Sequence, residues 1–357
     1  MAKIIISAII IPLLILLIIK ICRYINAKKY KICSNNGIEK TEYIAMGGIK
    51  QYIQIRGENI LNPIIIMLHG GPGNNMAHYS YYWQKDLEKN YTIVHWDQRG
   101  CGNTYYQNKN AEKPTLELLL TDLDELIDYI CLTYNKEKVI IVGHSWGTFL
   151  GAIYSGKNPQ KVYSYIGISQ MIDFRESEKI SSEEAMRLAC EKHKIKDKEK
   201  INKQFNEIMK CKVFNKGIAI KFLKLRQLKD KYLSSGNEMS LIKTIRICLL
   251  SPYTTFNNLK WMVSFNKFIE SNAKLYKALL LDEKLSMYNF NMKYEIPVVI
   301  IAGECDWVTP YNMAQKYVNE ISSPKKKFVT IPNVGHVPFI NVHGGQLLMD
   351  ILSKKGK

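Results

Sequence analysis

Acidic residues are missing from the first 31 positions, which carry Lys3, Lys20, Arg23, Lys28, Lys29 and Lys31 and so a charge of +6. Paired cysteine spacing is missing too. Cys22, Cys33, Cys101, Cys131, Cys190, Cys211, Cys248 and Cys305 follow neither a disulfide nor a metal-ligand pattern. That argues against a cysteine-stapled scaffold and fits a reducing compartment. No A-x-A-like site follows the apolar run that starts at Ile4, and Lys20 and Arg23 stand where small residues would be needed. A cleaved leader is disfavoured on that ground. A lipobox at Cys22 is equally poor, because Ile21 occupies its small-residue position. Glycine almost vanishes between residues 171 and 291, where only Gly217 and Gly236 occur.

What is present is a basic chain of 357 residues with a formal net charge of +18. Residues 171–290 hold 24 Lys and Arg against 14 Asp and Glu, and the parts that carry motifs are close to neutral. The excess charge therefore reads as facing a membrane surface, not nucleic acid. The run from Ile4 to Ile19 is broken only by Ser7 and Pro12. Extended to Cys22 it makes a helix of about 28 Å, close to the roughly 30 Å core of a bilayer. An uncleaved single-span anchor is expected over residues 1–23, with a polar, Lys-rich tether over 24–45. Five basic residues follow the span and only Lys3 precedes it, which puts the large domain on the cytoplasmic side.

The stretch Val139-Ile140-Ile141-Val142-Gly143-His144-Ser145-Trp146-Gly147 organises the rest. Four β-branched residues in a row read as a short strand covered on both faces. The Gly-His-Ser-Trp-Gly that follows, before the helix-like Thr148–Ile153, is a G-x-S-x-G turn in the context of a nucleophile elbow. Earlier, the apolar run Ile64–Leu68 ends in His69-Gly70-Gly71-Pro72-Gly73, a loop whose backbone can approach another group closely. It reads as an oxyanion loop, with Gly71 and Trp146 as the backbone donors. Tyr91–Trp96 is a further strand, and Asp97 and Arg99 after it are read as locking the Gly-rich turn Gly100-Cys101-Gly102. Tyr52–Arg56 alternates as an antiparallel strand would, and Thr115 could cap an amphipathic helix ending near Tyr134.

Residues 171–291 change character. Lysine dominates and apolar residues recur at helical spacing, as in Ile218, Ile220, Phe222, Leu223 and Leu225, so an all-helical cap is expected. Its aromatics Tyr253, Phe256, Trp261, Phe265 and Phe268 are read as core. Strands resume at Pro297–Gly303 and Phe328–Ile331, each followed by a loop with a chemistry-bearing residue: Asp306 in the first, His336 in the second. The fold class is α/β: a mostly parallel sheet wrapped by helices, with core segments 46–170 and 292–357 around the cap. The order Ser145, Asp306, His336 suits a triad in which His336 Nε2 takes the Ser145 proton and Asp306 fixes the imidazole. Glu304 is the rival acid. His69 and His144 are read as loop-orienting, and His78, His95, His193 and His343 have no motif behind them. No metal-ligand spacing and no cofactor motif appears.

Taken together, the blocks His69–Gly73, Asp97–Gly102, Gly143–Gly147 and Gly335-His336 resemble the prolyl aminopeptidase (proline iminopeptidase) branch of the α/β-hydrolase fold. The resemblance covers about residues 45–170 and 292–350. It implies a serine hydrolase without metal or organic cofactor that releases an N-terminal residue, often proline, from a short peptide. It supports Ser145, Asp306 and His336 as triad and Gly71 and Trp146 as oxyanion donors. In that family acids on the cap bind the substrate's free amino terminus. Here Glu176, Glu178, Glu183 and Glu184 could do so or could form a solvated face. An esterase or lipase-like enzyme acting on acyl substrates at the membrane is the alternative. A non-catalytic binding protein on the same scaffold is a third reading. Epoxide hydrolase and haloalkane dehalogenase chemistry is disfavoured, since both need a carboxylate where Ser145 stands.

Overall fold

The continuous apolar runs become the centre of a sheet. A computed structural model describes residues 2–290, 292–341 and 344–353, with backbone alone for residues 2–9, 341 and 353. Met1, Asn291, Val342, His343 and the last four positions lie outside the described residues. The strands are β1 (Ile38–Met46), β2 (Ile49–Gly57), β3 (Ile64–Leu68), β4 (Thr92–Trp96), β5 (Val139–His144), β6 (Val162–Ile168), β7 (Val298–Gly303) and β8 (Lys326–Ile331). They form one sheet in the order β1-β2-β4-β3-β5-β6-β7-β8. β2 runs antiparallel to both β1 and β4, and every other pairing is parallel. The chain is thus the α/β architecture expected from its sequence.

Side-chain alternation sorts the central strands into two cores. Ile66 and Ile141 pair in register and face one apolar cluster with Phe149, Leu123 and Leu126. Their neighbours Ile65 and Ile140 face the other, with Trp83, Phe339 and Leu348. Both faces of β3, β5 and β7 are covered, which is why these strands are apolar apart from His144 at the end of β5. The predicted amphipathic helix spans Leu116–Thr133, and Thr115 caps it by accepting the Leu118 N–H at 3.2 Å.

Among the described residues, seven α-helices lie between β6 and β7: Phe174–Glu191, Ile195–Met209, Lys216–Lys229, Leu241–Leu250, Phe256–Val263, Phe265–Ser271 and Ala273–Leu281. The first three share a core of their own around Ile201, Ile208 and Leu225. Phe222 and Leu225 are buried there, whereas Ile220 and Leu223 of the same helix face water. Of the aromatics expected in the core, Trp261 is buried but Phe256 is exposed.

The N-terminal helix differs from the expected anchor and tether. It runs without a break over Ala2–Lys29, and β1 begins at Ile38, so most of residues 24–45 is helix or strand. The window Ile10–Lys29 has mean hydropathy 2.0 and no buried share, which makes it long and apolar enough to cross a membrane. The helix continues past Lys20 because its last turns have tertiary partners. Arg23 donates to Leu249 O at 2.8 Å, and Asn26 donates to Leu250 O at 2.9 Å. These are carbonyls at the end of the helix Leu241–Leu250, which otherwise lack intrahelical donors.

Candidate active site

Ser145 sits between β5 and the helix Trp146–Lys157 with φ +53° and ψ −120°. A side chain at positive φ is strained, and the surroundings must hold it there. They do so by close approach. A Cβ added at Gly143 would lie 2.5 Å from Gly147 O, and one at Gly147 would lie 2.2 Å from Leu68 O. Both flanking positions of the elbow therefore need glycine. The Ser145 N–H donates to Ile168 O at 3.0 Å, tying the turn to β6.

The structure brings the three predicted triad residues together. His336, in the loop after β8, has Nε2 3.0 Å from Ser145 Oγ. Its Nδ1 lies 2.9 Å from Asp306 Oδ2 and 3.1 Å from Oδ1. Asp306 is fixed by its own loop: Oδ1 accepts the Val308 and Thr309 N–H groups, each at 2.9 Å, and Oδ2 accepts the Thr309 hydroxyl at 2.7 Å. The His336 backbone is held as well, its carbonyl accepting Ser169 Oγ at 2.9 Å and His144 Nε2 at 3.0 Å.

The electrostatics suit an ionised acid at Asp306. Burial pushes the Asp306 carboxyl up, but His336 and the Thr309 hydrogen bonds outweigh it and hold it below the usual range. An ionised Asp306 accepts from Nδ1–H, leaving the Nε2 lone pair for the Ser145 hydroxyl. Burial pushes His144 down to about 3 and His69 down to about 4, so neither ring takes up a proton readily and neither competes with His336 as a base. Both orient loops. His69 Nδ1 donates to Gly70 O at 2.8 Å and its Nε2 accepts the Gln98 N–H at 3.2 Å. The rival acid Glu304 is exposed and accepts the Asn333 N–H at 3.1 Å, away from the imidazole.

The loop His69–Gly73 lies beside the serine: a Cβ at Gly70 would come 3.1 Å from Ser145 Cβ. Gly71 has φ +120°, and a side chain there would meet Gly73 N at 2.4 Å and Asn74 N at 2.8 Å. Trp146, at the first position of the helix after Ser145, anchors its indole N–H on Gln98 Oε1 at 3.2 Å. Asp97 and Arg99 are structural locks. Asp97 Oδ2 accepts from Asn75 and from both nitrogens of Asn103, and Arg99 forks onto Asp122 with two bonds of 2.8 Å.

The cap contributes residues that the sequence did not reveal. Trp261 Nε1 donates to Gly73 O at 2.8 Å, and the Tyr276 hydroxyl donates to Pro72 O at 3.3 Å, so cap helices brace the glycine loop. Of the acids expected to meet an amine, Glu178 is buried and spent on Arg226 and on Lys229 at 2.7 Å. Glu176 and Glu183 are exposed, and Glu184 pairs with Arg187 at 2.6 Å. Among the described residues, a cap carboxylate that reaches the His336 loop is Glu238, which accepts the Val337 N–H at 2.9 Å. Burial pushes its carboxyl up against the opposing pull of His336. The signal for it was Gly236, one of the two cap glycines, whose φ of +60° makes the turn that lays Glu238 on the His336 loop.

With a serine, an imidazole and a buried carboxylate in line, comparison with known proteins becomes decisive. Residues 61–341 match the family model described as serine aminopeptidase, S33. The chain belongs to the serine aminopeptidase S33 family. Within it, this S33 chain is 25% identical over 303 residues to the probable aminopeptidase YbaC of Bacillus subtilis, spanning 83% of this chain and 90% of the relative. It is 24% identical over 302 residues to the proline iminopeptidase of Lactobacillus helveticus, spanning 82% and 90%. Among solved structures, a proline iminopeptidase-related protein from Thermus thermophilus superposes with a TM-score of 0.57 at 17% identity. That match covers 88% of the S33 chain and 98% of the Thermus chain, and it speaks for the fold.

Proposed function

We propose that the chain is a membrane-anchored serine aminopeptidase that releases an N-terminal residue, proline or a similar small one, from short peptides. The observation that carries this is the 3.0 Å approach of Ser145 Oγ to His336 Nε2, with His336 Nδ1 on buried Asp306. His336 takes the Ser145 proton as Oγ attacks the carbonyl carbon of the first residue. Negative charge forms on the former carbonyl oxygen, where the Gly71 and Trp146 backbone N–H groups receive it, helped by the positive end of helix Trp146–Lys157. His336 then gives its proton to the leaving amine, and the first residue stays as an ester on Ser145. Water, deprotonated by the same imidazole, attacks that ester and frees the residue. No metal or organic cofactor enters these steps. Glu238 is the cap carboxylate best placed to receive the cationic amino terminus of the substrate.

The length and hydropathy of the helix Ile10–Lys29 support its reading as an anchor, and the basic residues after its apolar part support a cytoplasmic domain. The anchor and the basic cap also support a second reading, an esterase acting on acyl substrates at the membrane.

The test uses the full chain in detergent with three fluorogenic substrates: a prolyl amide with a free amine, its N-acetylated form, and a short acyl ester. Hydrolysis of the free-amine amide alone supports the aminopeptidase. Indifference to acetylation, or activity on the ester alone, moves the chain to the esterases. Ser145→Ala should lower turnover by a factor on the order of 10⁴ or more; a variant that keeps most activity refutes the nucleophile.

A further inference from the structure

The cap carries large apolar side chains that none of the described residues covers. Leu241 is 74% exposed, Ile242 81%, Phe256 69% and Val263 83%, all within the two consecutive helices Leu241–Leu250 and Phe256–Val263. The same segment is purely basic. Between Met239 and Val263 there is no Asp or Glu, while Lys243, Arg246 and Lys260 are all exposed. Lys260 lies over the Phe256 ring, 4.2 Å from its centroid, so cation and apolar ring present one mixed surface. Buried Ile247, Cys248 and Trp261 hold the pair on the domain from the other side.

The place of this face is set by the N-terminal helix. Arg23 donates to Leu249 O at 2.8 Å and to Thr254 O at 3.4 Å, so one guanidinium straddles the junction of the two cap helices. Asn26 adds the bond to Leu250 O. Arg23 follows directly on the apolar stretch that ends at Ile21 and Cys22. At about 1.5 Å of rise per residue, the junction of the pair is clamped within a few ångströms of where the hydrocarbon ends, and Ile242 and Val263 lie about 10–12 Å along their helices from it.

We propose that Leu241–Val263 is an interfacial element. Its exposed apolar side chains enter the headgroup layer of the same bilayer that holds the N-terminal helix, and its cations meet anionic lipid. Apolar residues on one side of a basic helix with no opposing acid are what a lipid surface of negative charge accepts. The inference rests on the reading of Ile10–Lys29 as a membrane span. The enzyme would then lie with this part of its cap against the membrane, not stand off it on a tether.

The test places the full chain in vesicles of phosphatidylcholine and phosphatidylglycerol and compares ordinary with brominated lipids, which quench only nearby indoles. Ile242→Trp and Val263→Trp each add fluorescence to the wild type, and Leu132→Trp, at a position 87% exposed, is the control. The expected result is that brominated lipid removes most of the increment at 242 and 263 and leaves that at 132. Carbonate washing of the same vesicles tests the span separately. Increments that survive bromination in a carbonate-resistant chain overturn the interfacial element and leave the anchor standing. Increments that shift to the blue with protein concentration instead of quenching would assign the face to a second copy, and also overturn it. Release of the chain by carbonate refutes the anchor, and the proposal with it.

Discussion

Replacing Asp306 by asparagine separates charge and tautomer from shape. Oδ1 accepts two backbone N–H groups, from Val308 and Thr309, each at 2.9 Å. An asparagine must keep its carbonyl oxygen there or lose both bonds. Its amide nitrogen then falls at the Oδ2 position, 2.9 Å from His336 Nδ1. Two donors cannot face each other, so Nδ1 becomes the acceptor and the proton moves to Nε2, which points at Ser145. The base is gone while the packing is unchanged; the Thr309 hydroxyl, 2.7 Å from Oδ2, can rotate to accept from the new amide. The expected loss in kcat is on the order of 10⁴, equivalent to about 5 kcal/mol of transition-state stabilisation. It is read from initial rates on the free-amine substrate at saturation, with thermal unfolding of the same preparation showing that the fold survives. Retention of more than roughly a tenth of kcat would refute the reasoning at this order of magnitude. So would a larger loss from Glu304→Gln than from Asp306→Asn.

Other outcomes follow from the same structure. Glu178→Gln strands Lys229 and Arg226 without their carboxylate and should cost about 3–5 kcal/mol, seen as faster hydrogen exchange in helices Phe174–Glu191 and Lys216–Lys229; unchanged exchange contradicts it. Burial raises the Asp97 carboxyl to about 6 from 3.8, against the pull of its Asn75 and Asn103 bonds, so between those values the native state holds more protons than the unfolded chain and stability falls as pH rises. By pH 7 that amounts to about 3 kcal/mol, so denaturant titration should show Asp97→Asn gaining on the wild type from pH 4 to pH 7 by about that much. A difference independent of pH would mean that Asp97 titrates normally. Removing residues 1–22 keeps the Arg23 and Asn26 bonds and should leave a soluble domain of near-native stability. Removing residues 1–30 also takes the Tyr30 carbonyl that accepts Arg56 at 2.6 Å, and should cost about 2–4 kcal/mol more in denaturation. Equal stability of the two truncations would show that the docking contributes nothing.

Local chemistry made the triad legible. An elbow, a glycine loop and two strand-end loops each announce themselves within a few residues, and the sheet brings their ends together without help from sequence-distant detail. What stayed hidden depends on contacts between distant parts. β1, Ile-Glu-Lys-Thr-Glu-Tyr-Ile-Ala-Met, is a sheet-edge strand with mostly exposed side chains, so its polarity reads as a tether. The last turns of the N-terminal helix look like a lysine-rich linker until Leu249 and Leu250 supply acceptors for Arg23 and Asn26. Glu238 meets the triad loop across 99 residues of sequence, a distance at which composition carries no signal. Phe256 shows the limit of the opposite kind: helical spacing places an aromatic on a face, but only the neighbours decide whether that face is inside.

The glycine loop beside Ser145 is propped from above. Trp261 holds Gly73 O and Tyr276 holds Pro72 O, while the Ser271 hydroxyl holds Gly100 O of the separate Gly100–Gly102 turn at 2.7 Å, all three from cap helices. Ser145 itself is only 8% exposed. Anything that displaces those helices also breaks the bonds that hold both turns, so a displaced cap and a braced loop exclude each other, as in an interlock.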